Sequence, residues 1–389
     1  MGKTVLVLGG GLGGVVAANR LRKKLGAEHS VILVDKQKEH LFQPSLLWVM
    51  LGLRKPPQIS RDFRILQRKG IRYINSEVLG IDISQKRVHL EKEDLSYDYL
   101  IISLGAELNL EAIPGFKETA YNLYSLEGAL RLNSVLKDFS DGKVAVMIPR
   151  IPFKCPAAPY ETAFLLDHLF EQRGLRNKVE ISIYTAEPQP FPVAGPQIGP
   201  KVKEMLEKRE ISYSPNKKLL EGNPQTKELI FENEEKARFD LIVGIFPHQA
   251  PKVVKEANLT GETGWIPVDR STLKTESENV YALGDVSAIK LPGAYKPDVP
   301  LTLPKAGVFA HHEAEVVAEN IASEIKGENS KKKFLGEGSC FLEIGYGQAG
   351  YAKGNFYATP HPLVNMRPPG KRWRWGKIMF EKYWFWHWF

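Results

Sequence analysis

Short apolar runs alternate with amphipathic segments along this chain, a pattern typical of α/β proteins. At the N-terminus, residues 3–9 (KTVLVLG) predict a strand, residues 10–26 a turn into a helix, and residues 30–36 (SVILVDK) a second strand. Two strands joined by a helix form a βαβ unit, whose strands are parallel. The hydrophobic pattern therefore predicts a parallel sheet that begins with the first residues.

Later segments predict a return to this first sheet. Residues 97–106 (YDYLIISLGA) and 276–292 each contain an apolar run that ends in a glycine turn, and residues 307–327 predict a long closing helix. Apolar runs between them predict an inserted α/β unit. We therefore predict an α/β fold with two Rossmann-like domains and a small C-terminal membrane-associating region, bounded as 1–118 with 265–327, 119–264, and 328–389.

The first turn carries a dinucleotide-binding pattern. Gly9, Gly11 and Gly14 satisfy G-x-G-x-x-G between the first predicted strand and helix, and Asp35 closes the second strand. Glycines allow the tight turn and the close approach of a pyrophosphate to the helix N-terminus, and the carboxylate suits ribose hydroxyls. This spacing predicts a bound dinucleotide.

Two further turns favour FAD over NAD as that dinucleotide. Gly105 follows one predicted strand, and Gly284-Asp285 follows another. In flavoproteins with two dinucleotide folds, the chain leaves the FAD domain after a strand and glycine turn such as residues 97–106. It returns to that domain at a Gly-Asp turn such as Gly284-Asp285. A Gly-Asp pair alone would suit an ordinary turn, but three motifs in this order predict FAD.

Charge and aromatic residues concentrate at the C-terminus. The net charge is +8, and residues 367–389 hold six Lys or Arg, one Glu and five of the seven tryptophans. Basic residues beside Trp, Tyr and Phe suit a bilayer interface better than nucleic acid. We therefore expect residues 370–389 to lie in a membrane surface. The alternative is a tail that packs on its own domain or on a partner subunit.

This expectation makes the chain a peripheral, monotopic membrane protein. Met1-Gly2-Lys3 leads directly into the first strand, so we expect no signal peptide and take the cytoplasmic membrane face by default. Whether the protein is a homo-oligomer stays open.

The turn of the second unit carries a cysteine in place of glycines. Residues 150–161 read RIPFKCPAAPYE and contain no glycine. A second pyrophosphate would need glycines there, so NAD is disfavoured. Cys155 precedes a predicted helix, whose N-terminus should stabilise a thiolate. The other cysteine, Cys340, is 185 residues away, and the two could be a redox pair or two unrelated buried thiols.

Several stretches together resemble the sulfide:quinone oxidoreductase and flavocytochrome c sulfide dehydrogenase branch of two-dinucleotide-fold flavoproteins. They are VLGGGLGGVVAANRL (7–21), HLFQPSLLWVMLGL (40–53), KCPAAPYE (154–161), YALGDV (281–286), LPKAGVFAHHEAEVVAENI (303–321) and Cys340. The resemblance implies that Cys155 and Cys340 are bridged by sulfur beside the flavin. Many members have a third cysteine, but residues 111–128 contain none, which argues against covalent FAD.

The resemblance also implies roles for other residues. It implies oxidation of sulfide to polysulfide or elemental sulfur through FAD. The aromatic tail favours a membrane quinone over a cytochrome as the electron acceptor. Lys305 would approach the pyrimidine edge of the flavin, where a positive charge favours the anionic reduced form. Glu161 could accept a proton from hydrosulfide, or be a simple helix-terminal carboxylate. Phe380, Tyr346 and Phe341 are the candidates for quinone contact.

Three alternatives stay open. The chain could be a flavoprotein sulfide dehydrogenase that donates to a cytochrome, a type II NADH:quinone oxidoreductase, or a flavin redox sensor without turnover. No H-x-x-x-H or cysteine cluster indicates a metal site.

Overall fold

Two five-stranded sheets organise the chain, and all neighbouring strands in them are parallel. The computed structural model describes residues 2–295, 300–329 and 331–389. In spatial order, the first sheet contains Val280–Ala282, Tyr99–Ile102, Thr4–Leu8, Ser30–Asp35 and Arg72–Asn75. The second contains Tyr121–Asn122, Leu241–Gly244, Gly142–Ile148, Val179–Thr185 and Ile211–Ser214.

The central strands are apolar on both faces because helices cover one face of each sheet and a three-stranded antiparallel sheet packs on the other. TVLVL and YLII are almost entirely buried, as expected for parallel strands. The helices are Leu12–Lys24, Leu46–Met50, Phe116–Thr119, Leu126–Asp138, Ala158–Gln172, Ile198–Glu207, Lys252–Glu256, Gly307–Lys326 and Lys371–Trp388. The first helix and Gly307–Lys326 share one hydrophobic core with the first sheet.

Smaller sheets surround the two parallel ones. Three-stranded antiparallel sheets comprise Val78–Asp82, Arg87–Leu90 and Asp94–Ser96, and Leu219–Asn223, Glu228–Phe231 and Lys236–Arg238. Two-stranded pairs are Glu39–Leu41 with Ser60–Asp62, Glu107–Leu108 with His248–Gln249, and Ile266–Pro267 with Ser287–Ala288.

The C-terminal region consists of an antiparallel sheet followed by a helix. The strands are Glu337–Gly345, Gln348–Asn355 and Leu363–Gly370, and the helix is Lys371–Trp388, called the C-terminal helix below. Trp384, Phe385 and Trp388 of this helix belong to the core of the first sheet. The opposite side exposes an apolar surface, called the aromatic stripe, that consists of Trp375, Met379, Phe380, Tyr383 and Trp386.

The α/β fold with two Rossmann-like sheets, predicted from the hydrophobic pattern, is confirmed, whereas the exact domain boundaries stay predictions. The membrane expectation for residues 370–389 stays a prediction, and part of this tail packs on its own domain, which was the stated alternative. Residues 371–388 form one helix, and one side of it packs against the first sheet's core, where Trp384 and Trp388 are buried. No helix in the described ranges combines the length and the apolar character needed to cross a bilayer.

Candidate active site

The glycine turn of the first sheet has the conformation that a dinucleotide requires. Gly9 has a positive φ of 93°, and a Cβ on Gly14 would overlap the carbonyl oxygen of Gly9. Asp35 accepts hydrogen bonds from the backbone N–H of Gly10 at 2.6 Å and of Gln37 at 2.7 Å. The carboxylate at the end of the second strand is therefore held beside the turn.

Open space lies where a phosphate would be expected. Gly11 caps the first helix, and apart from its chain neighbours and the helix's own backbone, no described atom lies within 4 Å of the position that a Cβ on it would take. The same is true of Gly105, whose φ is 71°. A helix N-terminus with free N–H groups and open space in front of it favours an anion. These residues fit the pyrophosphate of FAD.

The Gly284-Asp285 turn brings charged groups to the same region. Gly284 has a φ of 72°, and its N–H donates to the buried Glu313 at 2.6 Å. Burial raises the pKa of Glu313 to about 7. Burial also raises the pKa of Asp285, which the nearby charges of Lys154 and Lys305 oppose.

Lys305 is buried and fixed in one position. Its ammonium donates to the carbonyl of Asp285 at 2.6 Å and to that of Ser287 at 3.1 Å, and it lies 3.4 Å from the centroid of the Trp265 ring. Burial lowers the pKa of Lys305 to about 8, although Asp285 and Glu313 oppose the shift. A solvated lysine at a helix start is therefore excluded.

The Cys155 turn is bonded directly to the segment that carries Lys305. The Cys155 N–H donates to the Lys305 carbonyl at 2.7 Å, and the Tyr124 hydroxyl donates to the Cys155 carbonyl at 3.3 Å. Cys155 itself has a φ of 49°, a left-handed conformation that is rare outside glycine. Such strain persists where the surroundings enforce it, often at functional sites.

Both cysteines are free, and their surroundings differ from the expected thiolate site. Burial raises the pKa of Cys155, and the charges of Glu161 and Cys340 raise it further. Cys340 is exposed, yet the surrounding protein desolvates its thiol and raises its pKa to about 12. The expectation that the helix N-terminus would give a low-pKa thiolate at Cys155 is therefore wrong, because desolvation and a nearby carboxylate outweigh it.

Glu161 belongs to a buried ion network. Lys377 of the C-terminal helix donates to Glu161 at 3.0 Å and to Glu343 at 3.0 Å, and the Glu343 N–H donates to Glu161 at 2.8 Å. Arg374 completes the network by an ion pair with Glu343 at 2.6 Å. Glu343 lies on the strand of Cys340, and Glu161 lies on the helix after Cys155. The network therefore joins the two cysteine-bearing elements to the C-terminal helix.

The titration of this network follows from burial and charge. Burial opposes a charged Lys377, but Glu161 and Glu343 together raise its pKa. Burial raises the pKa of Glu161 although Lys377 opposes the shift. Glu161 is thus a carboxyl group that can take up a proton close to both cysteines.

Sequence reasoning missed Lys377, Glu343, Arg374 and Trp48. Lys377 and Glu161 are 216 residues apart, and Lys377 was counted among the basic residues of an exposed tail. The Trp48 ring nitrogen donates to Glu343 at 2.8 Å, and the guanidinium groups of Arg54 and Arg374 each lie 4.6 Å from the Trp48 ring centroid. Two such cations over one tryptophan stabilise its buried position.

The structure brings two of the three candidate quinone residues to the C-terminal helix. A Cβ on Gly376 would lie 3.1 Å from the Phe341 ring, and Phe380 is one helical turn beyond Gly376 on the same face. Tyr346 lies in a different cluster, where its hydroxyl donates to Asp167 at 3.0 Å and its ring is 4.4 Å from His168.

Comparisons with known proteins agree with this geometry. A family model described as pyridine nucleotide-disulphide oxidoreductase matches residues 3–147 and 161–313. The Cys155 turn falls between the two matched stretches.

Three relatives illustrate the range of similarity. The mitochondrial sulfide:quinone oxidoreductase of Mus musculus is 28% identical over 369 residues, which cover 92% of this chain and 79% of that protein. A type II NADH:quinone oxidoreductase of Staphylococcus haemolyticus is 23% identical and covers 84% of this chain and 83% of its own. The X-ray structure of the sulfide:quinone oxidoreductase from Aquifex aeolicus superposes with a TM-score of 0.89 at 26% identity, covering 99% of this chain and 91% of that one.

The raised pKa values of the cysteines predict the pH dependence of their alkylation. In Cys155→Ser, which leaves Cys340 alone, reaction with iodoacetamide should accelerate from pH 7 to pH 10 without levelling off, because a thiol with a pKa of about 12 stays largely protonated there. Free glutathione, measured in parallel, should level off near the ordinary thiol pKa of about 8.5. An alkylation rate of Cys340 that levels off below pH 10 would contradict the raised pKa.

Proposed function

Because the chain belongs to the pyridine nucleotide-disulphide oxidoreductase family, we propose that it oxidises sulfide to polysulfide or elemental sulfur and passes the electrons to a membrane quinone. The protein is a flavin-dependent oxidoreductase with FAD as its cofactor. The observation that carries the proposal is the Cys155 turn, because it occupies the strand–turn–helix position of a second nucleotide loop without its glycines.

The cysteines supply the electron-donor side of the proposed reaction. In the oxidised enzyme, a disulfide or longer sulfur bridge would join Cys155 to Cys340. Hydrosulfide attacks one sulfur of the bridge, so that one sulfur–sulfur bond breaks while another forms, giving a persulfide on one cysteine and a thiolate on the other. Bound FAD would accept the two electrons that leave the thiolate when the sulfur bridge forms again. Each hydrosulfide therefore yields one zero-valent sulfur, one proton and two electrons.

Glu161 and Lys377 handle charge next to this exchange. Hydrosulfide and the released thiolate are anions, and Lys377 lowers the pKa of both cysteines, which means that it stabilises their charged forms. Glu161 raises both cysteine pKa values, so it stabilises their protonated forms, and its own raised pKa allows it to take up the released proton. We propose that the charges of this ion network set the pKa values of the two thiols. The dipole of the helix after Cys155 is then not what activates that cysteine.

The C-terminal helix supplies the acceptor side. Phe341 and Phe380 flank Gly376, where the flat face of a quinone ring could stack against aromatic rings. The aromatic stripe projects from the same helix, and Lys371, Arg372 and Lys382 are exposed around it. We propose that this side of the helix rests on an anionic bilayer, which holds lipid-dissolved quinone next to the protein.

Oxidation of NADH is the main alternative, since a type II NADH:quinone oxidoreductase is also similar to this chain. The second turn is unsuited to NADH. Residues 149–158 contain no glycine and include Lys154, Cys155 and three prolines, and the Cys155 N–H is already bonded to the Lys305 carbonyl. The backbone of the Cys155 turn is so close to the segment that carries Lys305 that little room remains for a second pyrophosphate.

Anaerobic reduction of the bound flavin tests the proposed donor. Sulfide should bleach the yellow protein within seconds, and a short-chain quinone should restore the colour. Cys155→Ser should retain FAD but slow the sulfide-driven bleaching by at least about a thousandfold, because the bridge that accepts hydrosulfide cannot form. Bleaching by NADH, with no response to sulfide, would overturn the proposal.

Vesicle binding tests the proposed membrane contact. Trp375 is 65% exposed and Trp386 is 78% exposed, so replacing both by serine should leave the fold intact. The double variant should bind anionic vesicles at least about tenfold more weakly in a sedimentation assay, since each ring contributes up to about 2 kcal/mol of apolar burial. Leu220→Ser, an exposed apolar residue of the second unit, serves as the control. Equal binding by the wild type and the double variant would argue against the aromatic stripe as the contact.

A further inference from the structure

A buried histidine connects the C-terminal helix to the dinucleotide turn. The Trp384 ring nitrogen lies 3.0 Å from His40 Nε2, and His40 Nδ1 lies 2.9 Å from the carbonyl oxygen of Gly10. Trp384 and His40 are each only 1% exposed. This relay reaches from residue 384 to the glycine turn at the other end of the chain.

The chemistry of tryptophan fixes the direction of both hydrogen bonds. The indole N–H can only donate, so His40 Nε2 must accept. The proton of the neutral ring is therefore on Nδ1, and Nδ1–H donates to the Gly10 carbonyl. Without Trp384, the imidazole could adopt the other tautomer and leave the Gly10 carbonyl without its donor.

The surroundings hold the ring in this state. Trp384 stacks on His40 at 5.7 Å, and Phe63, Phe385 and Phe389 lie within 6.5 Å of the His40 ring. Burial in this aromatic cluster lowers the pKa of His40 to about 4, so the ring is neutral at physiological pH. A protonated ring would place a second N–H against the Trp384 donor.

The Gly10 peptide is thereby held from two sides. Its N–H donates to Asp35 at 2.6 Å, and its carbonyl accepts from His40. Gly10 precedes Gly11, which caps the first helix and faces the open space that fits a pyrophosphate. The orientation of the turn toward the cofactor therefore depends on His40 as well as on the glycines.

We propose that His40 and Trp384 are positioning residues of the FAD site, which make the C-terminal helix a structural part of cofactor binding. Binding linkage is reciprocal, so FAD should in turn stabilise the docked helix. The aromatic stripe lies on the opposite side of that helix, and FAD occupancy would thus favour the helix position in which the stripe is displayed. The proposal depends on FAD binding alone, not on sulfide or quinone.

FAD dissociation from the purified holoenzyme tests the proposal. Trp384→Phe keeps a ring but removes the N–H donor, and FAD should dissociate about tenfold faster, the factor expected for one net hydrogen bond. Trp373→Phe removes an indole N–H from the same helix, where the ring stacks on Tyr351 at 4.7 Å, and should change the rate by less than about twofold. Released FAD is followed by its fluorescence on dilution.

A double variant separates positioning from general damage. His40→Asn keeps an N–H at the level of Nδ1 for the Gly10 carbonyl, but its side chain is too short to place the amide oxygen where Nε2 accepts from Trp384. Adding Trp384→Phe to it should therefore have little further effect. If Trp384→Phe leaves FAD dissociation unchanged, or speeds it equally in the His40→Asn background, the proposal is overturned.

Hydrogen exchange of the wild type covers the case in which Trp384→Phe does not fold. Backbone amides of residues 376–388 should exchange more slowly at saturating FAD than at half saturation. Exchange in that helix that does not respond to FAD would equally refute the linkage.

Discussion

Lys377 lies between two buried carboxylates, 3.0 Å from Glu161 and 3.0 Å from Glu343. Burying one of these charges without its partners would cost several kcal/mol, so the stability of the fold depends on the three groups coming together. Arg374 supplies the second positive charge through Glu343, and the four formal charges cancel. Because the groups come from three distant segments, this network fixes how the Cys155 helix, the Cys340 strand and the C-terminal helix meet.

Because the three elements meet at this network, one small region can serve both the electron-donor side and the electron-acceptor side of the proposed reaction. The inner side of the C-terminal helix supplies Lys377 to the cysteine site and Trp384 to the dinucleotide turn. Its outer side carries the aromatic stripe. In the proposals made above, donor chemistry, cofactor positioning and membrane contact therefore all depend on this one helix, and a shift of it should affect all three.

Local patterns in the sequence predicted the parts of the site that depend on local structure. Gly9, Gly11, Gly14 and Asp35 lie within one βαβ unit, where spacing alone implies the turn. The network could not be predicted, because Glu161, Glu343 and Lys377 meet only through tertiary packing. The inward-facing residues of the tail could not be predicted for the same reason, because composition does not distinguish Arg374 and Lys377, which face inward, from the exposed basic residues beside them. The thiol pKa values depend on burial, which the spacing around Cys155 does not reveal.

Mass spectrometry of protein that has turned over sulfide tests the central claim most directly, namely that Cys155 and Cys340 act together as the sulfur-carrying pair. The protein would be treated with sulfide and a short-chain quinone without oxygen, acidified, alkylated and digested without reductant. The account predicts that peptides containing Cys155 and Cys340 are recovered as one linked species, heavier by one or more sulfur atoms than a simple disulfide. Recovery of both cysteines only as separate alkylated thiols, while sulfide is still consumed, would contradict it.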